Sequence, residues 1–308
     1  KVILFLLLTS LLCGLASATD YYVSPTGTGD GLSIDTPGDP SVLDGSLYPG
    51  DTMYFLNGTY INKSVIFLTR SGNITHPITL TSYNGTPVLY NYSITSGSYG
   101  ININTKNYVN ISNLNFVGYY SAITGAGSFI NITNCSSRNN GGGSAIFISN
   151  TNGTDNIIQD CYFENNGWNA IQIQGSTSAA SPAERIVVRN NTILNNSVHA
   201  AIDIYKNVSN ITIENNTISG CMSPGSNIYT HDGGSYQGYI FIRNNTISNS
   251  DYEGIYLKCF NNNSIIENNN FTNISNKAID LEILSNVTIR NNKYYTVNYP
   301  FRIITCDN

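Results

Sequence analysis

Charge is what this chain has least of: Asp, Glu, Lys and Arg together make up 11% of 308 residues, and the formal net charge is -5. That balance, with no basic stripe, excludes a nucleic-acid partner. No Cys/His spacing matches a zinc site, and no membrane span is expected beyond residue 18. Asn, Ser, Thr, Gly and Tyr abound instead, so solubility must come from amides, hydroxyls or attached sugar.

Residues 1–18 read as a secretory leader, with a positive Lys1, the apolar run Val2 to Leu8 and a small-residue cleavage site at Ala16-Ser17-Ala18. The alternative is a retained hydrophobic segment. Export places the protein outside the cell or on its surface and permits disulfides. Cys135 and Cys161 fall on neighbouring repeats, roughly one strand spacing (~4.8 Å) apart. A bridge and two stacked free thiols are equally compatible with that spacing. Nineteen Asn-x-Ser/Thr sequons occur. Those in expected loops or junctions, Asn57, Asn62, Asn73, Asn84, Asn91, Asn152, Asn195, Asn207, Asn262 and Asn286, are the better glycan acceptors. Asn190, Asn215 and Asn244 are expected inside, buried and bare.

A phrase recurs along the chain: an apolar residue, a polar one, then Asn or its kin. Ile111-Ser112-Asn113, Ile132-Thr133-Asn134, Ile158-Gln159-Asp160, Val188-Arg189-Asn190, Ile213-Glu214-Asn215, Ile242-Arg243-Asn244, Ile266-Glu267-Asn268 and Ile289-Arg290-Asn291 repeat every 21 to 30 residues. That period suits one coil of a β-solenoid. Within a coil, period-two alternation marks short half-buried strands, and Asn supplies the bends because it tolerates left-handed backbone. The spacing predicts an all-β, single-stranded parallel β-helix of roughly ten or more coils. Residues 19–60 would form the N-terminal cap and first coils, with a short capping helix at Ser41–Leu47, and 61–308 the solenoid.

Stacked coils put like residues in columns. Asn113 through Asn291 are expected to form an inward amide ladder. Outside it, Arg189, Glu214, Arg243, Glu267 and Arg290 alternate in sign, which fixes register. On the third strand of each coil, Phe147, Gln172, Asp203, Tyr229, Tyr256, Asp280 and Arg302 share one outward column. Ser149, Gln174, Tyr205, His231, Lys258 and Glu282 share the next. This mixed face is the candidate binding surface, with Gln172, Asp203, Tyr205, Tyr229, Tyr256, Asp280 and Glu282 as binding residues.

The opening Tyr21-Tyr22-Val23-Ser24-Pro25, then Pro49-Gly50-Asp51-Thr52-Met53-Tyr54 and Asn57-Gly58-Thr59-Tyr60, resembles the first coils of secreted right-handed parallel β-helix proteins of the polysaccharide-lyase type. The later coils are similar to pectate-lyase-like and archaeal surface or adhesin-like repeats. The resemblance spans about residues 20 to 305 and implies a groove beside the third-strand column that holds a polymer. For a lyase it implies calcium-binding carboxylates and a Lys or Arg base. Lys258, with His231 or Arg302 assisting, is the set that could remove the proton. The acids are too dispersed for a confident metal site, so calcium is an option and no cofactor is required. The expectation is therefore a secreted, N-glycosylated structural or adhesive surface protein. Its partner would be a polysaccharide or surface glycan. The chain ends inside a coil, which predicts homo-oligomers or head-to-tail fibrils. A polysaccharide lyase and a non-catalytic glycan-binding module are the alternatives.

Overall fold

A computed structural model describes residues 18–304, except 93, 150–152, 177–182, 197, 222–224, 232–237, 259–260 and 283–284, and except the side chains of His231, Asn261, Asn262 and Ser285. The leader, Asn152, Cys259 and Cys306 therefore lie almost wholly outside the described residues. Among the described residues every pairing between strands is parallel, and one isolated bridge, Ser176 to Asn207, is antiparallel. Eleven strands, from Asp20–Val23 through Val109–Ser112 and Val208–Glu214 to Ser285–Arg290, stack into one sheet. The other 18 strands form two more columns, because each coil bends once more, between strands such as Tyr162–Glu164 and Ile171–Gln174. Two long strands, Asn270–Glu282 and Lys293–Ile304, run through that bend and join the two columns into one sheet.

Alternation within each strand sends one side inward. Ile111, Ile132, Ile158, Val188, Ile213, Ile242 and Ile266 form one buried file, continuous with the core. At about 25 cal/mol per Å² of apolar surface, such files are the main driving force for stacking. At the first end a single helical turn, Pro40–Leu43, followed by a tighter turn at Asp44–Ser46, replaces the longer helix expected at Ser41–Leu47. Asp39 caps it by accepting from Ser41 N–H at 3.0 Å, and Leu43 and Leu47 are buried.

The amide ladder exists one residue away from its expected place. Asn113, Asn134, Asp160, Asn190, Asn215, Asn244, Asn268 and Asn291 all have φ between 52° and 57° and are exposed at the corner. A left-handed residue turns the chain without taking a place in the in-out alternation, so the next residue points inward. That position holds Leu114, Cys135 and Cys161, then Asn191, Asn216, Asn245, Asn269 and the half-buried Asn292. Here each Nδ2 donates to the next Oδ1, Asn191 to Asn216 at 3.1 Å and Asn216 to Asn245 at 3.0 Å, and so on to Asn292. Each Oδ1 also accepts a backbone N–H from the preceding coil, and the second amide hydrogen goes to a carbonyl such as Val188 O. Every polar atom of these buried amides is thereby satisfied. Asn190, Asn215 and Asn244, expected to be buried, are exposed.

Cys135 and Cys161 are free, buried thiols rather than a bridge. They occupy successive rungs of parallel strands, so their Cα–Cβ bonds run side by side and keep the Cβ atoms near the strand spacing, ~4.8 Å, wider than the ~3.8 Å of a disulfide. Cys135 Sγ donates to Thr133 O at 3.5 Å and Cys161 Sγ to Gln159 O at 3.1 Å. The charge column is present in register. Arg243 reaches Glu214 at 2.8 Å and Arg290 reaches Glu267 at 2.7 Å, while Arg189 donates to Gln159 Oε1.

Candidate functional site

The third strands, including Ile146–Ser149, Ile171–Gln174, Ile202–Tyr205, Ile228–His231 and Ile255–Lys258, stack in register through the two long final strands. Their even positions put Phe147, Gln172, Asp203, Tyr229, Tyr256, Asp280 and Arg302 in one file. Outward direction does not mean exposure, however: Asp203 and Asp280 are 0% and 1% exposed. Burial comes from the residues just before each third strand, which lean over the column.

Those residues form two further files. Immediately before the Ala-Ile phrase or its equivalent stand Ser144, Asn169, Ala200, Ser226, Glu253 and Lys277, an inner row that is polar except at Ala200. One place earlier stand Tyr120, Gly143, Trp168 and His199, an outer row. Asn169 Nδ2 donates to Asp203 Oδ2 at 3.3 Å and to Ser144 Oγ at 3.2 Å. Asn169 Oδ1 meets His199 Nδ1 at 3.0 Å and accepts Ala200 N–H at 2.9 Å. His199 lies flat on Trp168, centroids 4.9 Å apart and planes 2° from parallel. The edge of the row continues through Tyr229, 5.3 Å from His199, to Tyr256, stacked 5.3 Å further on. A line of four rings thus crosses four consecutive coils.

At one end of this line a cleft of about 450 Å³ opens beside Gly142 and Gly143. Its lining includes Tyr99, Tyr120, Phe147, Trp168, Ser144 and Gln172. The glycines make the room, since a Cβ on Gly143 would stand 2.6 Å from Tyr120 Cε1. Ser144 Oγ donates to Gln172 Oε1 at 2.8 Å and fixes that amide.

At the other end charges gather and cancel. Arg302 takes Asp280 in a fork, 2.7 Å on both arms, and reaches Glu282 at 3.1 Å. The Asp280 bond holds the Arg302 guanidinium above its usual pKa. Lys277 bridges Asp280 at 3.2 Å and Glu253 at 3.5 Å, and Lys258 lies 4.0 Å from Glu282. Burial, then the hydrogen bond to Glu282, pushes the Tyr256 hydroxyl upward in pKa. Tyr205 lies under Lys206 Nζ, 4.7 Å from the ring centroid. His231 ends its strand opposite Tyr205.

Calcium does not fit these acids. Asp280 is taken by Arg302 and Lys277, Asp203 sits two and more coils away, and among the described residues no three His, Cys, Asp or Glu side chains converge to hold a metal ion. The sequence columns located Gln172, Tyr229, Tyr256, Asp280, Glu282, Lys258 and Arg302 in one face. They missed Trp168, Tyr120, Ser144, Asn169 and His199. The signal for these was the pair of positions preceding each Ala-Ile phrase.

Of the expected glycan acceptors, Asn57, Asn62, Asn73, Asn84, Asn195 and Asn286 are exposed and Asn91 is half-buried. Asn207 is buried at 4% exposure, where strand Val208–Glu214 begins, so the folded protein offers no room for a sugar there. The Asn262 side chain lies outside the described residues. No described helix is long and apolar enough to cross a membrane.

A family described as right handed beta helix region matches residues 64–238, more than half of the chain, and the protein belongs to that family. Its fold is similar to an alginate lyase from Paenibacillus sp. str. FPU-7, at 16% identity, TM-score 0.68, and 93% of this chain covered against 99% of that one. It is also similar to a rhamnogalacturonan lyase, at 12% identity and TM-score 0.60, covering 94% and 87%. PfbA, a surface adhesin of Streptococcus pneumoniae, matches at 12% identity and TM-score 0.54, covering 89% and 90%. At such identities the likeness carries the fold alone. No curated protein matches.

Proposed function

We propose that this is a secreted, N-glycosylated surface protein of adhesive type whose third-strand face binds a glycan chain without cleaving it. The observation that carries this reading is the line of rings Trp168, His199, Tyr229 and Tyr256, which leads out of the cleft along the coil axis. Rings spaced one strand apart offer a repeating row of apolar edges to successive sugars, with polar groups beside it for the hydroxyls. The charged end supports binding over turnover. Lys258, the lysine a lyase would need as base, is engaged with Glu282, and Arg302 is engaged with Asp280 and Glu282. The alginate lyase and the adhesin among the similar folds are both compatible with a glycan partner.

Export and glycosylation belong to the same proposal, supported by the leader pattern and by the exposed sequons. So does association end to end. Tyr299, Phe301 and Ile303 are exposed on the last described strand, and a further coil, from this chain or from a second copy, would cover them. The test is to incubate the protein with polyuronates and calcium and follow absorbance of unsaturated products, beside a glycan-binding array. Binding without product formation is the expected result. Product formation that disappears in Lys258→Ala overturns the non-catalytic reading.

A further inference from the structure

Among the described residues, none that lines the cleft beside Gly142 and Gly143 carries a positive charge to meet an acidic sugar. Its described lining is four aromatic rings with serine hydroxyls and the Gln172 amide. Apart from Lys1, the segments outside the described residues hold no lysine or arginine. Several of the chain's other cations are committed elsewhere. Arg138 pairs with Glu164 and covers the Tyr162 ring, Arg185 pairs with Asp155, and Lys206 covers Tyr205. The column's own cations, Lys258, Lys277 and Arg302, begin three rungs beyond Gln172, ~14 Å along the axis. They are paired with Glu253, Asp280 and Glu282.

The nearest ionisable neighbour of Gln172 in the file is a carboxylate, Asp203, fully buried one rung away. A uronate lowered into this cleft would lose the hydration of its own carboxylate and gain no positive partner, with the buried Asp203 one rung from Gln172. A sugar without charge meets no such penalty. Its axial C–H faces suit the Trp168 ring, of which one side is covered by His199 and the other is left toward the cleft. Its hydroxyls both donate and accept, as do Ser144, Ser121 and Gln172.

We infer that this cleft is a subsite for a neutral pyranoside, a hexose or N-acetylhexosamine unit, and that it discriminates against uronates. The inference rests on the glycan-binding reading above and narrows it to a ligand class.

Trp168 supplies the readout, because it is the single tryptophan of the chain. The whole protein is titrated with cellohexaose, laminarihexaose, mannohexaose and chitohexaose, and separately with hexagalacturonate and hexamannuronate, each with and without calcium, while Trp168 emission is followed. The expected result is a saturable emission change with at least one neutral oligomer and a weaker or absent one with both uronates. Tyr120→Ala and Gln172→Ala, each checked for native circular dichroism, should each raise Kd for that oligomer about tenfold. A uronate that binds as tightly as the best neutral oligomer overturns the inference and leaves the glycan-binding reading standing. Failure of every oligomer to change Trp168 emission or to bind by calorimetry overturns both.

Discussion

At the scale of the residue, two adjacent asparagines do different jobs. Asn215 turns the corner with φ 56°, whereas Asn216 is buried, accepts from Asn191 and donates to Asn245. Asn215→Gly should be nearly neutral, since glycine enters left-handed backbone freely, while Asn215→Val should cost about 1–2 kcal/mol. Asn216→Ala removes the acceptor of the Asn191 backbone N–H and of one Asn191 Nδ2 hydrogen, and withdraws the side-chain donor from Asn245 Oδ1 and Val188 O, in a dry interior; it should cost about 3 kcal/mol. Urea midpoints of the three variants, followed by far-ultraviolet circular dichroism, separate the roles. Cys221 offers a second check. Burial pushes its thiol from 9.0 up to about 12, and the thiolate is the nucleophile. Cys221 should therefore resist alkylation at pH 8 in the native protein and react on unfolding, as mapped by peptide mass spectrometry. A raised thiol pKa also means that its contribution to stability is complete below the unfolded value and is lost as pH rises toward about 12.

At the scale of the element, the strands are legible in the sequence and the segments between them are not. The in-register columns could be read directly, because similar phrases, Ala-Ile in several coils and Asn227-Ile228 or Gly254-Ile255 in others, mark the same rung. The ladder was displaced by one place because periodicity counts every residue, whereas a left-handed corner residue such as Asn190 is outside the alternation. The cleft escaped for another reason. Gly143, Trp168 and His199 belong to connections of unequal length, and nothing in their local pattern says that they line up until the following strand is used to count backwards. Asp203 illustrates the same limit, since its place in an outward file was readable but its burial under those connections was not. The charge column is testable at this scale. Arg243 stands between Glu214 and Glu267. Arg243→Glu should lower stability by about 1 kcal/mol at low ionic strength. The deficit should shrink in 1 M salt, where screening acts over about 3 Å; a salt-independent deficit would place the cause in packing.

At the scale of the whole molecule, each coil touches only the coils above and below, so stability is close to a sum of rungs and interfaces. Excision of residues 215–243 removes one complete coil and joins Glu214 to Asn244, its neighbour's equivalent corner. That variant should remain folded and β-rich by circular dichroism, whereas deletion of residues 216–223, a fraction of a coil, should abolish the fold by throwing every later column out of line. Limited proteolysis of the two proteins gives the same comparison without spectroscopy.

Coils this alike create a hazard of misthreading, in which a segment docks one storey too high or too low with its apolar files still matched. The file Arg189, Glu214, Arg243, Glu267, Arg290 gives successive storeys opposite parity. A slip of a single storey sets like beside like at the junction it creates, and a slip of two restores the match there. Errors in winding should therefore come in even steps, which makes the pair of coils, rather than the single coil, the unit in which this chain proofreads its own assembly.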